Sequence, residues 1–233
     1  MILYSDEDIL VVNKSSGELV LKDRWDMDII CLTDRLEKDW GRTMVVHRLD
    51  KETSGVILLA RNEEAHKNIN DQFAAHTVKK TYLCLSSSKP EWTQMECDLP
   101  LRPDGDKFHR TVVDRDGKPS LTSFTILESG RSWAWIEALP RTGRTHQIRA
   151  HLWALKCALF GDELYHGPVL KLSEIKRGYH PGTFETPLLE RAGLHAAALE
   201  LIHPRTGLPM KWEAPLPKDL ETSLKQLRKW GGK

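Results

Sequence analysis

Between residues 45 and 60 the chain reads Val-Val-His-Arg-Leu-Asp-Lys-Glu-Thr-Ser-Gly-Val-Ile-Leu-Leu-Ala. A polar knot, from His47 to Gly55, is set between two apolar runs. Val45-Val46 and residues 56–60 read as buried strands, and Thr53, Ser54 and Gly55 are turn formers. Gly55 can also take backbone conformations closed to other residues. The pattern holds one carboxylate, Asp50, in a turn beside the cation Arg48 and against a hydrophobic floor. A carboxylate so placed stays ionised while shielded from water, which suits a nucleophile or a general base. The same residues also suit a plain hairpin in which Arg48 and Asp50 form a surface ion pair, and taken alone the motif favours that reading.

A second concentration of charge lies later. Arg141, Arg144 and Arg149 fall within nine residues with His146 and His151 interleaved, Lys79-Lys80 forms another cluster, and Lys225, Arg228 and Lys229 a third. The net charge is only +1, but electrostatic binding of a polyanion depends on local patches rather than totals. The 141–149 cluster reads as such a patch, and the C-terminal group as a solvated helix face. The four cysteines, Cys31, Cys84, Cys97 and Cys157, are scattered with no CxxC pair and no histidine at ligand spacing. They read as reduced thiols, and no metal site is expected. His66 and His76 have the wrong spacing for one shared helical face and read as surface residues.

Around these groups, hydrophobic residues make up 40% and charged residues 29% of 233. That is ordinary for a globular protein able to bury a full core, as one large domain or two small ones. No apolar run approaches a membrane span and no secretory leader stands at the start, so a cytoplasmic location with no membrane partner is expected. Residues 2–4 and 9–12 read as a hairpin around an acidic turn, residues 13–17 as a loop, and residues 28–40 as a short helix. Residues 62–76 read as a helix capped by Asn62, with Ala65, Ile69 and Phe73 repeating at helical spacing. Residues 81–85, 111–113, 121–127 and 133–139 read as strands joined by turns at Gly105, Gly117-Lys118-Pro119 and Gly130. Residues 145–159 return to helix, with Ile148, Leu152, Leu155 and Leu159 on one side. Residues 166–190 are rich in Gly, Pro and charge and read as an insertion or a mobile loop. Residues 218–230 form a last helix with the stripe Leu220, Leu224, Leu227. Several strands linked by short turns predict an α+β fold with a mixed, mostly antiparallel central sheet, flanking helices and loops. Of the eight tryptophans, Trp133 and Trp135 alternate in a strand and most are expected in the core.

His-Arg-Leu-Asp followed by Thr-Ser-Gly resembles the catalytic loop of the RluA-type pseudouridine synthases, and further landmarks recur in that family's order. They are residues 2–4 and 8–14, Lys79-Lys80-Thr81-Tyr82, residues 117–122, and Thr142-Gly143-Arg144-Thr145-His146-Gln147-Ile148-Arg149-Ala150-His151. Phe160-Gly161-Asp162 with Tyr165, Leu194-His195-Ala196 and Ile202-His203-Pro204 complete the series. Ser15 stands where the family usually has proline, so this loop is expected to be less rigid. The resemblance covers residue 2 to about Pro217 and implies a single pseudouridine synthase catalytic domain over 1–233, with no RNA-binding module ahead of it. It implies an isomerase that turns specific uridines of structured RNA, in 23S rRNA or tRNA stem-loops, into pseudouridine without cofactor or metal, and a monomer by default.

By the same resemblance Asp50 is the nucleophile and Arg149 its salt-bridge partner, a guanidinium that cannot lose its proton. Tyr82 packs against the target base, and its hydroxyl can help move a proton. Arg48 stacks in the space left when the uridine is extruded, although a structural pairing with a nearby carboxylate also suits it. Arg144, His146 and Lys80 are the remaining RNA-binding candidates, while His47 reads as structural. Two other classes stand against the enzyme. A catalytically inactive RNA-binding or ribosome-assembly factor has no chemical reason to keep Asp50, Tyr82 and Arg149 together. A hydrolase using Asp50 with His47 or His146 lacks a serine elbow, paired carboxylates or a metal-ligand run.

Overall fold

The computed structural model describes residues 1–22 and 28–232. In chain order the elements are β1 (Ile2–Ser5), β2 (Ile9–Lys14), α1 (Leu32–Trp40), β3 (Met44–Val45), β4 (Ser54–Ala60) and α2 (Glu63–Ala74). Then follow β5 (Lys79–Ser86), β6 (Gln94–Cys97), β7 (Leu101–Arg102), β8 (Val112–Val113), β9 (Thr122–Ser129) and β10 (Ala134–Pro140). The last part holds α3 (Gln147–Ala154), a 3-10 turn (Glu163–Tyr165), α4 (Leu172–Ile175), β11 (Leu194–Ile202), β12 (Pro209–Glu213) and α5 (Lys218–Trp230). The chain divides into two compact units, residues 1–81 with 195–215, and residues 82–194 with 216–233. The α+β class and the mostly antiparallel pairing agree with the sequence reading.

In the first unit, β2 lies between β1 and β4, antiparallel to both, with Ile9 opposite Ala60 and Lys14 opposite Gly55. β3 pairs antiparallel with the far end of β4, and β11 runs parallel to its start, His195 opposite Ser54. β12 returns antiparallel along β11. The side-chain period of two sends Ile9, Val11, Val56, Leu58 and Ala60 to one face, where they pack with Ala65 and Ile69 of α2 and with Leu199, Leu201 and Trp212. Leu10, Val12, Ile57 and Leu59 alternate with these and are equally buried. A strand buried on both faces explains why β4 reads as a continuous apolar run rather than an alternating one. Asn62 caps α2 as expected, its Oδ1 accepting from the Ala65 amide at 2.8 Å. The helix expected from residue 28 begins at Leu32, because Cys31 is still extended at the N-cap.

In the second unit β10 lies between β5 and β9, and β6 pairs β9, all antiparallel. β7 and β8 form a separate two-stranded ribbon. Cys84, Phe124, Ala134, Ile136 and Ala138 pack with Ile148 and Leu152 of α3, and Leu85, Trp133 and Trp135 with Leu220, Leu224 and Leu227 of α5. α5 spans the expected residues. The helix expected over 145–159 is shorter: Lys156 takes a left-handed φ of 59° and Leu159 sits in an extended bridge with Ser86. Its leucine spacing past Ala154 is therefore a core pattern without a helix. Residues 166–190 are closed at the base by the buried pair Leu170 and Leu189, and tied across by Glu185, which accepts from the Ser173 amide and hydroxyl at 2.9 and 2.6 Å.

Candidate active site

Asp50 lies in the connection from β3 to β4, and that connection is fixed at three places. Where the β3–β4 ladder stops, the His47 ring replaces a strand partner: its Nε2 accepts from the Leu58 amide at 3.0 Å, and the ring packs 5.0 Å from Phe73. Burial, with the Lys80 charge nearby, pushes the His47 pKa down to about 3, so the imidazole is neutral and its acceptor nitrogen is kept. His47 is thus structural, as the sequence suggested. Next, Leu49 turns into the core, Arg48 stays exposed and Asp50 is half-buried. The Asp50 carbonyl accepts from the Thr53 amide at 3.1 Å, closing the turn.

The second fixation comes from the loop after β2. Lys14 is fully buried, and its ammonium donates to the carbonyls of Ser15, Glu18 and Lys51 at 2.9, 2.7 and 3.1 Å. Gly17, at φ 82°, sends its amide to the Lys51 carbonyl at 2.9 Å, and the Ser16 hydroxyl donates to the Glu52 carbonyl at 2.9 Å. Residues 14–17 therefore clamp the two peptides that follow Asp50, and a serine in place of the usual proline is tied down by these bonds.

The third lies at the start of β4. His195 Nε2 is 3.2 Å from the Ala214 carbonyl, which can only accept, so Nε2 carries the proton and Nδ1 accepts from the Ser54 hydroxyl at 2.9 Å. One residue on, Gly55 has φ 118°, and a Cβ there would stand 2.1 Å from the Ala196 carbonyl oxygen. Only glycine allows β4 and β11 to approach so closely.

The remaining predicted residues belong to other elements. Lys80 is half-buried on β5, and burial lowers its pKa to about 8. Tyr82 is half-buried on the same strand opposite Ala138 and packs on the core of the second unit. Arg149 projects from α3 and is 8% exposed. Its Nε and Nη2 each donate to Asp162 at 2.7 Å, a two-point pair, and its guanidinium lies 5.0 Å over the Tyr165 ring. Tyr165 is fully buried; its hydroxyl donates to the Thr111 carbonyl at 3.0 Å and accepts from the Thr111 amide at 3.1 Å. Burial raises its pKa to about 12. His146 precedes α3 in a left-handed conformation, with Nδ1 3.2 Å from the same hydroxyl. Arg144 is half-buried and spends Nε on the Pro119 carbonyl at 3.1 Å.

Sequence reasoning missed several residues that hold this machinery. Gln147 is buried with both ends of its amide used: Nε2 donates to the Leu121 carbonyl and Thr122 hydroxyl, and Oε1 accepts from the Thr142 hydroxyl and Arg144 amide, all within 3.0 Å. Asp162, quoted only as a landmark, is the carboxylate that orients Arg149. Its signal was the Gly-Asp-x-x-Tyr spacing, since Asp162 also accepts from the Tyr165 amide at 3.3 Å. Arg48 makes no ion pair among the described residues, which removes the plain reading of a surface Arg48–Asp50 pair. Asp6, Asp8 and His203 also come together in the first unit. Their contacts are those of a structural knot: Asp6 accepts from the Ile9 amide, Tyr4 and His203, and Asp8 from Asn62 and Arg205. A cavity of about 200 Å³ beside β11 and β12, lined by Thr77, Lys79, Glu200, Met210 and Lys211, contains none of the predicted residues.

Comparison with known proteins bears on what this arrangement does. A sequence model of the RNA pseudouridylate synthase family matches residues 8–154. The ribosomal large subunit pseudouridine synthase D of Xanthomonas campestris pv. campestris is 34% identical over 238 residues, covering 97% of this chain and 69% of that protein. The dual-specificity RNA pseudouridine synthase RluA of Salmonella typhi is 33% identical over 217 residues, 92% of each chain. Among solved structures, human RNA pseudouridylate synthase domain containing 4 superposes with a TM-score of 0.74 at 26% identity, covering 97% of this chain and 92% of its own.

Proposed function

This chain belongs to the RNA pseudouridylate synthase family and is an isomerase that acts on RNA; from that premise we propose that Asp50 is its nucleophile. The reaction breaks the bond between ribose C1′ and uracil N1 and forms one between C1′ and C5. The C5 proton leaves and N1 gains one, so atoms and electrons balance within the substrate. A carboxylate can carry the intermediate of such an exchange. The observation that supports Asp50 most is the fixing of its turn from three directions by Lys14, His47 and the Ser54–His195 pair.

Arg149 is assigned the permanent positive charge the reaction needs, oriented by Asp162 and Tyr165. Tyr82 is assigned the aromatic face for the target base, with its hydroxyl available for proton transfer. Extruding a stacked uridine costs a few kcal/mol, and the exposed, uncommitted Arg48 is assigned to fill the gap it leaves. Arg144, His146 and Lys80 are assigned to the RNA. The relatives' names point to large-subunit ribosomal RNA for one and to more than one RNA for another. We therefore infer a stem-loop of 23S rRNA, tRNA or both as the substrate, read as a folded loop as well as by its bases. No helix among the described residues is long and apolar enough to cross a membrane. The working form we infer is a cytoplasmic monomer, with residues 1–233 acting as one catalytic domain.

Pseudouridine mapping on total tRNA and rRNA, incubated with the wild-type protein and with Asp50→Ala, tests this directly. New pseudouridine with the wild type alone supports the assignment, and its position names the substrate. Equal product from both proteins would remove Asp50 from the chemistry.

A further inference from the structure

Two elements of the second unit, α4 and α5, pack together and bring two lysines to one indole ring. The Lys176 ammonium stands 5.0 Å, and the Lys229 ammonium 4.8 Å, from the centroid of the Trp230 ring. Lys176 also lies 5.3 Å from the Tyr179 ring. Trp230 is 36% exposed. Arg177, beside Lys176, and Lys225, one helical turn before Lys229, are exposed and add the same sign. None of these four cations has an ion pair among the described residues. Arg228, between Lys225 and Lys229 in the chain, differs: it is paired with Glu128 at 2.8 Å.

Cations in the last turn of a helix are favoured by its dipole, and that accounts for Arg228 and Lys229. It does not account for Lys176, which arrives from another element, nor for Lys225 and Lys229 at a spacing of four, where like charges repel. Two ammonium groups drawn to one ring raise the local positive potential and lose part of their freedom before any ligand arrives, which lowers the entropy cost of binding a polyanion. Compact ammonium heads suit phosphate oxygens and carry no geometry for reading base edges.

We propose that Lys176, Arg177, Lys225 and Lys229, gathered around Trp230, form a phosphate-binding surface for the RNA backbone, separate from the residues assigned to the reacting uridine. It rests on RNA being the substrate, and it goes beyond the sequence reading of the C-terminal charges as a solvated face, which their exposure fits. The surface adds affinity for RNA phosphodiesters and does not select the uridine.

The test uses the whole chain and the RNA identified by mapping, with the dissociation constant measured at several salt concentrations. Lys176→Glu with Lys229→Glu is expected to weaken binding roughly tenfold or more near 0.1 M salt and to lower the slope of log affinity against log salt by about 2. Lys225→Glu touches neither ring and guards against a folding defect; it is expected to weaken binding a few-fold and lower the slope by about 1. Both losses are expected in Kd and KM, with the single-turnover rate at saturating RNA retained. Unchanged Kd and slope in both variants, with the wild type still making pseudouridine, would overturn the surface and leave the enzyme reading intact. Absence of product from the wild type on every RNA would instead overturn the enzyme reading. Vesicles of anionic phospholipid form the other arm: if the variants lose vesicle binding while holding RNA as tightly as wild type, the surface belongs to a membrane and the proposal fails.

Discussion

The turn that carries Asp50 and the helix that carries Arg149 are immobilised by opposite means. Around Asp50 the bonds run to main-chain atoms: Lys14 and Ser16 donate to the carbonyls of Lys51 and Glu52, and the His47 ring takes the Leu58 amide. Around Arg149 the bonds run between side chains, with Asp162 on two guanidinium nitrogens and Tyr165 under its face. A clamp on the backbone fixes where a side chain begins. A clamp on the head group fixes the charge itself, at the cost of burying a second ion. The bonds of the first arrangement do not run through the head group, and those of the second do.

The largest break in that contrast is expected from Asp162→Ala. It leaves the Arg149 guanidinium, 8% exposed, without its two-point partner, and stripping one member of a buried pair costs about 3–5 kcal/mol. Urea unfolding should show that loss, whereas Asp50→Ala should abolish product and cost less stability, because the bonds that hold its turn run through Lys14, Ser16 and His47. A stability loss at Asp50 as large as at Asp162 would erase the distinction. Lys14→Met comes next. The Ser15 and Glu18 carbonyls lose their ammonium donor while Lys51 keeps the Gly17 amide, and with Ser15 exposed and Glu18 half-buried the loss for each is expected near the low end of about 1–3 kcal/mol. Because the damage is to the placement of Asp50, kcat should fall by at least about tenfold with KM nearly unchanged; a loss confined to KM would contradict the positioning role. Ser54→Ala is milder, at about 1–2 kcal/mol, since it removes one buried hydrogen bond, from the Ser54 hydroxyl to His195 Nδ1, and thermal unfolding reads it.

The contrast also explains what could be read from the chain and what could not. β4, α2 and α5 were legible because burial leaves a period: a continuous apolar run for a strand covered on both faces, and Leu220, Leu224 and Leu227 at helical spacing. α3 was overextended because Leu155 and Leu159 continue that spacing after Lys156 has broken the helix. Asp50 stands out in the sequence through the family resemblance of its motif, since the local pattern alone suits a plain hairpin equally. Its supports were not legible, since Lys14 and His195 act through bonds to residues 37 and 141 positions away, and no local pattern encodes such a partner. Asp162 lies only 13 residues from Arg149, yet without a structure an acid after glycine reads as a turn.

His47 gives the smallest effect and separates the neutral clamp from the charged one. In the folded chain burial and the Lys80 charge hold its pKa near about 3, against 6.5 for the unperturbed ring. Between those values the unfolded chain binds a proton that the folded chain refuses, so stability is complete above 6.5 and falls as the solution is acidified toward 3. The slope for one such group is at most about 1.4 kcal/mol per pH unit. His47→Gln keeps an acceptor for the Leu58 amide but has nothing to protonate. Comparing urea unfolding at about pH 7.5 and about pH 5.5, the wild type should lose about 1 kcal/mol more than the variant. Equal losses would mean that the ring gives way to the proton without disturbing the turn. The β3–β4 connection would then be held without the His47 clamp, by the Lys14 and Ser16 bonds and the Ser54–His195 pair, and Lys14→Met should then be more damaging than the loss of its two carbonyl acceptors implies.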